Sequence, residues 1–182
     1  MIDRKLVSIP IQVSGTLETT SGLARHFPHV FGCLYEESAK KASTALLFCH
    51  PTTNFMEHYA LKPLAARGFA CMGFTTRYLN NDSTLIFEDA VLDIAEGVRY
   101  LRERYQNVVL VGNSGGGPLM SVYQSQAERP TIRKTPAGDP HDFTQADLPL
   151  ADALILVAAH TGRAQVLVDN MDPSVTNEND PD

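Results

Sequence analysis

Several absences bound what this chain does. No segment approaches the ~20 consecutive apolar residues of a membrane span, and the N-terminal MIDRKLVSIPIQVSG carries basic residues without the apolar core of a signal peptide. No run of Lys or Arg exceeds two residues and the net charge is −6, so the cationic footprint of a nucleic-acid binder is missing. Cysteine is scarce. Cys33, Cys49 and Cys71 are odd in number and widely spaced, which fits buried reduced thiols better than a disulfide framework or a metal site. His26 and His29 form an H-x-x-H pair on a segment that reads as strand or turn, where the two rings would not share a ligand face as helical i, i+4 ligands do. The expectation is a cytoplasmic protein with no metal, no cofactor, and neither nucleic acid nor membrane as partner.

What is present is enough for one domain: 182 residues, 43% of them hydrophobic. Residues 6–13 and 32–36 are β-branched and aromatic between Pro and Gly, as edge strands or a hairpin would be. A strand-helix alternation follows. TALLFC (44–49) is a continuous apolar run typical of a strand buried on both faces. Phe55, Tyr59, Leu61, Leu64 and Ala65 recur at near-helical spacing until Arg67-Gly68.

The pattern repeats with a strand at 69–74 and a long helix. Asn81-Asp82-Ser83 offers N-cap residues for that helix, and Ile86, Ala90, Val91, Ile94, Val98 and Leu101 form its apolar stripe. Glu88, Asp89, Asp93, Arg99, Arg102 and Glu103 read as its solvated face. Residues 108–111 are a third strand, 118–127 a third helix, and ALILVA (153–158) a fourth strand. Residues 129–150, rich in Pro, Asp and Thr, read as a surface excursion, 161–168 as a short helix, and 169–182 as an acidic, flexible tail. Such alternation predicts an α/β fold with a mostly parallel central sheet flanked by helices, its domain covering residues 1–168.

In an open parallel sheet, ligands gather outside the carboxyl ends of the strands. The residues there are polar: His50, Thr52, Thr53 and Asn54; Thr75, Thr76, Arg77 and Asn80; Asn113 and Ser114; His160 and Thr161. VVLVGNSGGGPLM (108–120) places Gly112, Gly115, Gly116 and Gly117 around Ser114. The order is wrong for a dinucleotide fingerprint, and a P-loop would need a Lys that is absent. G-x-S-x-G on a strand-to-helix turn does fit. A nucleophile raised on a sharp turn has strained backbone angles, and the positions two before and two after it tolerate almost no Cβ. The following helix aims its N–H groups at the same spot, and Pro118 suits its first turn.

Strand, His50-Pro51-Thr52, helix, strand, long helix, strand, Gly112-Asn113-Ser114-Gly115-Gly116, helix and strand resembles the first two-thirds of the α/β-hydrolase superfamily, in the manner of bacterial esterase-like serine hydrolases. The resemblance implies Ser114 as nucleophile, the N–H of Gly115 as one oxyanion donor, and a second donor from the loop that His50 opens. Where the family usually has Gly after that His, this chain has Pro51, which lacks an N–H, so the donor would be Thr52 or Thr53. Asn113 and His160 are candidate substrate contacts. Arg77 and Asn80 are ordinary loop caps or substrate contacts, and Met56 and His58 packing residues.

The resemblance orders the triad Ser, acid, His and places the last two after two further strands. The chain ends before either, and Asp169 and Asp172 are poorly placed for the acid. The expectation is therefore an N-terminal portion of a hydrolase for a small acyl substrate (ester, thioester or related), nearly inactive alone. The alternative is a non-catalytic hydrolase-like remnant that binds a small ligand or partner.

Overall fold

The computed structural model describes residues 1–11, 19–20, 23–24, 29–39 and 41–171; His26, Val13 and the acidic stretch 172–182 lie outside them. The two extended segments expected near the N-terminus are β1 (Ile2–Pro10) and, after a short pair β2 (Thr19–Thr20) and β3 (Leu23–Ala24), β4 (His29–Glu37). The alternating region supplies β5 (Thr44–Cys49), α1 (Leu61–Ala65), β6 (Ala70–Phe74), α2 (Phe87–Arg102), β7 (Asn107–Asn113), α3 (Gly116–Glu128), β8 (Ala153–Val157) and α4 (Arg163–Met171). Six strands form one sheet in the order β1-β4-β6-β5-β7-β8. β4 pairs antiparallel with β1 on one side and with β6 on the other, and β6, β5, β7 and β8 run parallel.

Side chains of β5 alternate between two cores, as the strand period of two requires. Ala45, Leu47 and Cys49 join Met72, Phe74, Leu110 and the inner faces of α2 and α3 (Ile94, Val98, Leu119, Tyr123). Leu46 and Phe48 join Tyr35, Val111 and Phe55 with Leu61 and Ala65 of α1. Each fully buried Leu or Phe here contributes about 1.5–3 kcal/mol. Cys33, Cys49 and Cys71 are free and buried among them, and burial pushes the Cys71 thiol up to about 12.

Four sequence expectations need correction. The first helix is only α1, because residues 55–59 fold as turns. Asn54 Oδ1 accepts the Met56 N–H (2.9 Å), Phe55 C=O accepts the His58 N–H (3.0 Å), and the rings of Phe48, Phe55, His58 and Tyr59 pack on one another. The N-cap of α2 is Ile86, without a side-chain cap. Asn81 accepts the Ser83 hydroxyl and donates its amide to the Thr84 hydroxyl, and Asp82 is used elsewhere. Glu88 and Asp93 on the supposedly solvated face of α2 are buried. Finally, α4 continues through Met171, so the helix includes Asp169; it begins after Gly162, whose φ of +126° no helix accepts.

The 129–150 excursion is clamped rather than loose. Gln126 Oε1 accepts the N–H groups of Thr131 and Ile132, Arg102 donates to Leu150 C=O, and Phe143 sits in the core at 1% exposure. The fourth strand of the alternation, β8, leaves Ile155, Leu156 and Val157 exposed, because among the described residues β8 is the sheet's edge.

Gly73 lets the 55–59 turns lie directly on β6. A Cβ there would stand 2.0 Å from the Phe55 carbonyl oxygen, which is backbone and cannot swing aside. Gly73→Ala is expected to destabilise by about 1–3 kcal/mol, read as a lower urea midpoint at unchanged m.

Candidate active site

The carboxyl ends of β5, β7 and β8 bring the sequence-predicted residues together. β7 runs into Asn113, and Ser114 then turns the chain into α3 with φ +54°, a left-handed conformation costly for a residue with a Cβ. The turn is held by Ser114 N–H donating to Val157 C=O (3.1 Å) and by Gly117 N–H donating to Ser114 C=O (3.0 Å). Ser114 is exposed, and its hydroxyl has no hydrogen-bond partner among the described residues.

The spacing argument has a direct geometric counterpart. A Cβ on Gly112 would lie 2.7 Å from Gly116 O and Gly117 Cα, and one on Gly116 would lie 2.2 Å from Cys49 O. Gly115, the N-cap of α3, has no side-chain cap bonded to the first turn. The positive end of α3 therefore meets Ser114 with no side chain capping it, where it favours a negative charge that develops beside Ser114.

His50 follows β5 and reaches the elbow. A Cβ on Gly115 would stand 2.6 Å from His50 Nε2, so the imidazole edge lies against the Gly115 backbone. Its other nitrogen, Nδ1, accepts the N–H groups of Thr52 (3.2 Å) and Thr53 (3.0 Å). The two amides expected to be available to substrate thus have an intramolecular partner. Burial lowers the His50 pKa, with Arg163 and His160 adding to the effect and Asp82 opposing it. The loop itself is tied down: Thr52 C=O accepts from Asn80 N–H (2.7 Å) and Pro51 C=O from the Thr76 hydroxyl (2.5 Å). The Thr52 hydroxyl donates to Asp82 (2.9 Å), which also receives Arg163 (2.8 Å); these bonds hold the Asp82 carboxyl below its usual range.

The remaining candidates divide. Asn113 donates its amide to Val157 C=O (2.9 Å), fastening β7 to β8 rather than pointing to a ligand. His160 stands after β8 close enough to bias His50, and its Nδ1 accepts Gly162 N–H (3.1 Å). Asn80 serves the loop at φ +57°. Arg77 belongs to a polar network that the sequence reading missed. Its guanidinium and backbone N–H bind Asp93 at 2.8–3.2 Å, while Asp89 accepts the Tyr78 hydroxyl (2.7 Å) and approaches His141 (3.0 Å). The sequence does hold a signal for Asp93. It stands at the i+3 position of the stripe Ala90, Ile94, Gly97, Val98 and Leu101, and an acid on a buried stripe requires a partner. A cavity of about 690 Å³ opens beside this network, lined among others by Pro10, Arg77, Asp93 and Arg99. No elbow residue lines it, and its walls offer no nucleophile, so the elbow and not this cavity is the candidate site.

Chemically, the arrangement exposes a hydroxyl at a strained turn with a helix N-terminus and an imidazole edge beside it. Among the described residues no carboxylate-histidine pair is bonded to Ser114. His141 and Asp89 pair with each other in the Arg77 network. No helix of the described residues is long and apolar enough to cross a membrane.

Neither a protein-family model nor a curated protein matches the sequence. Solved structures do. The chain is similar to a bacterial heroin esterase (TM-score 0.59, 16% identity, covering 87% of this chain and 45% of that one). It is also similar to brefeldin A esterase, a bacterial homologue of human hormone sensitive lipase (TM-score 0.53, 16% identity, 70% and 36%), and to esterase Est22 (TM-score 0.53, 12% identity, 70% and 39%). The chain spans less than half the length of each. Strand order, crossover helices and these similarities together give the chain an α/β-hydrolase-like fold.

Proposed function

We propose that this chain carries the nucleophile and oxyanion side of a serine hydrolase that cleaves an ester, thioester or related acyl bond of a small molecule. One observation carries the reading. Ser114 is held at φ +54° on a strand-to-helix turn with its hydroxyl exposed, and Gly112 and Gly116 stand where no Cβ fits. Strain of this kind costs about 1–3 kcal/mol and persists where surroundings enforce it. The esterase names of the structural neighbours agree with this chemistry. Ser114 Oγ would attack the acyl carbon, the carbonyl π electrons would pass to oxygen, and the Gly115 N–H would hold the resulting charge. Activation of the hydroxyl requires a base, and the described residues offer none that is bonded to it.

The chain alone is therefore expected to hydrolyse p-nitrophenyl acetate near the uncatalysed background. At alkaline pH, where hydroxide substitutes for the base, a fluorophosphonate is expected to label it slowly and stoichiometrically. Peptide mass spectrometry should find the adduct on Ser114, and Ser114→Ala should abolish it. Labelling unaffected by Ser114→Ala would overturn the nucleophile and favour the non-catalytic binder.

A further inference from the structure

We infer that the second oxyanion donor is the His50 side chain, through its Nε2–H, and not a backbone N–H of the loop that His50 opens. This assignment rests on the serine-hydrolase reading above.

Three observations carry it. First, Thr52 N–H and Thr53 N–H both converge on His50 Nδ1, at 3.2 and 3.0 Å. A ring nitrogen that accepts two N–H groups has no place for its own proton, and a neutral imidazole carries one proton, so Nε2 carries it. The same bonds occupy the backbone donors that the loop would otherwise offer, and Pro51 has none. Second, Nε2 lies against Gly115, the residue whose N–H is the first donor, so the imidazole and that amide stand side by side at the elbow. A side chain larger than hydrogen at position 115 would displace the imidazole, which gives Gly115 a reason to be glycine separate from the elbow spacing. Third, the loop is rigid where it must be: Pro51 C=O and Thr52 C=O are each bonded from the 76–80 segment, and the Thr52 hydroxyl is bonded to Asp82. A preorganised donor is worth more than one that must reorient during reaction. The arrangement also explains why His50 does not serve as the base, because an Nε2 that carries a proton cannot accept one from serine.

Two variants separate donation from loop support. Asn places its amide oxygen near the Nδ1 position and preserves the acceptor for Thr52 and Thr53, with no group at Nε2; Gln places an amide N–H near Nε2. The reaction read is fluorophosphonate labelling at alkaline pH: the Ser114 Oγ–P bond forms, the P–F bond breaks, fluoride leaves, and the serine proton passes to hydroxide. His50→Asn is expected to slow labelling by about 100-fold or more, and His50→Gln to restore it to within about tenfold of the original rate. The reverse order, equal losses, or no loss in either variant overturns the donor. Independently of folding in the variants, ¹⁵N-resolved NMR of the unsubstituted chain at neutral pH is expected to show His50 as the Nε2–H tautomer, and an Nδ1–H tautomer overturns the assignment. The nucleophile reading fails separately, by labelling that survives Ser114→Ala.

Discussion

Gly116→Ala is expected to cost the fold about 3 kcal/mol and Ser114 about 100-fold in fluorophosphonate labelling rate. The new methyl would stand 2.2 Å from the carbonyl oxygen of Cys49, a residue with no exposure at the end of a central strand. Neither party can yield cheaply. The Cys49 carbonyl belongs to β5, paired on both sides with β6 and β7, and the Gly116 backbone is the first turn of α3. Relief therefore requires α3 to lift off β5, which moves Ser114 and Gly115 relative to His50 together. Gly138→Ala is the contrasting control. There φ is +100° but nothing lies within 4 Å of the new Cβ, so only backbone strain of about 1–2 kcal/mol is paid and Ser114 labelling is expected to be unchanged. A urea midpoint lowered equally in both, with labelling intact in Gly116→Ala, would show that the close approach is not what holds the elbow.

The contrast between those two glycines also marks what the chain order makes readable. The elbow is a local object: Gly112, Ser114 and Gly116 lie within five positions, and the same short-range sterics that fix the turn fix the spacing. The parallel strands are similarly local, since β5, β6, β7 and β8 each carry a short run of mostly apolar residues. What escapes a linear reading is closed by distance along the chain. The tautomer of His50 depends on which way a three-residue loop folds back. Arg163 meets Asp82 across 81 positions, and the clamp on the 129–150 segment joins Arg99 and Arg102 to residues 48 positions away. The face of α2 was misread for a related reason. Charges at Asp89 and Asp93 look like a solvated surface because their partners, His141 of the excursion and Arg77 of the loop after β6, lie far along the chain. The apolar β8 has the composition of its buried neighbours, and its exposure follows from its place at the edge among the described residues, because burial is set by what pairs beyond a strand.

Breaking the Arg77–Asp93 pair from the acid side is expected to have the larger effect on stability. Asp93 has no exposure and receives the Arg77 backbone N–H and its guanidinium, while the Arg77 side chain is 16% exposed. Asp93→Ala leaves a buried guanidinium with only Asp89, 3.5 Å away, and is expected to cost about 3–5 kcal/mol. Replacing both by apolar residues, Arg77→Met with Asp93→Leu, removes the stranded charge and should recover much of that loss. Double losses that equal the sum of the single ones would mean that the pair is not coupled.

The pH dependence has a definite sign. Burial, opposed by the bonds and charge of Arg77, pushes Asp93 up to about 6, above its unfolded value near 4. A carboxyl raised in the folded state contributes stability that is fully present below its unfolded pKa and is lost as pH rises through about 6. Arg77→Met removes the opposing cation and raises Asp93 further, so its destabilisation should be greater at alkaline than at mildly acidic pH. The same variant should also slow Ser114 labelling. Arg77 anchors to α2 the segment whose Thr76 and Asn80 hold Pro51 and Thr52, and through them the ring of His50 against Gly115. A loss of stability with labelling unchanged would confine the ion pair to the fold. A loss of both, with the NMR tautomer of His50 altered, would place it in the chain of contacts that aims the oxyanion donor.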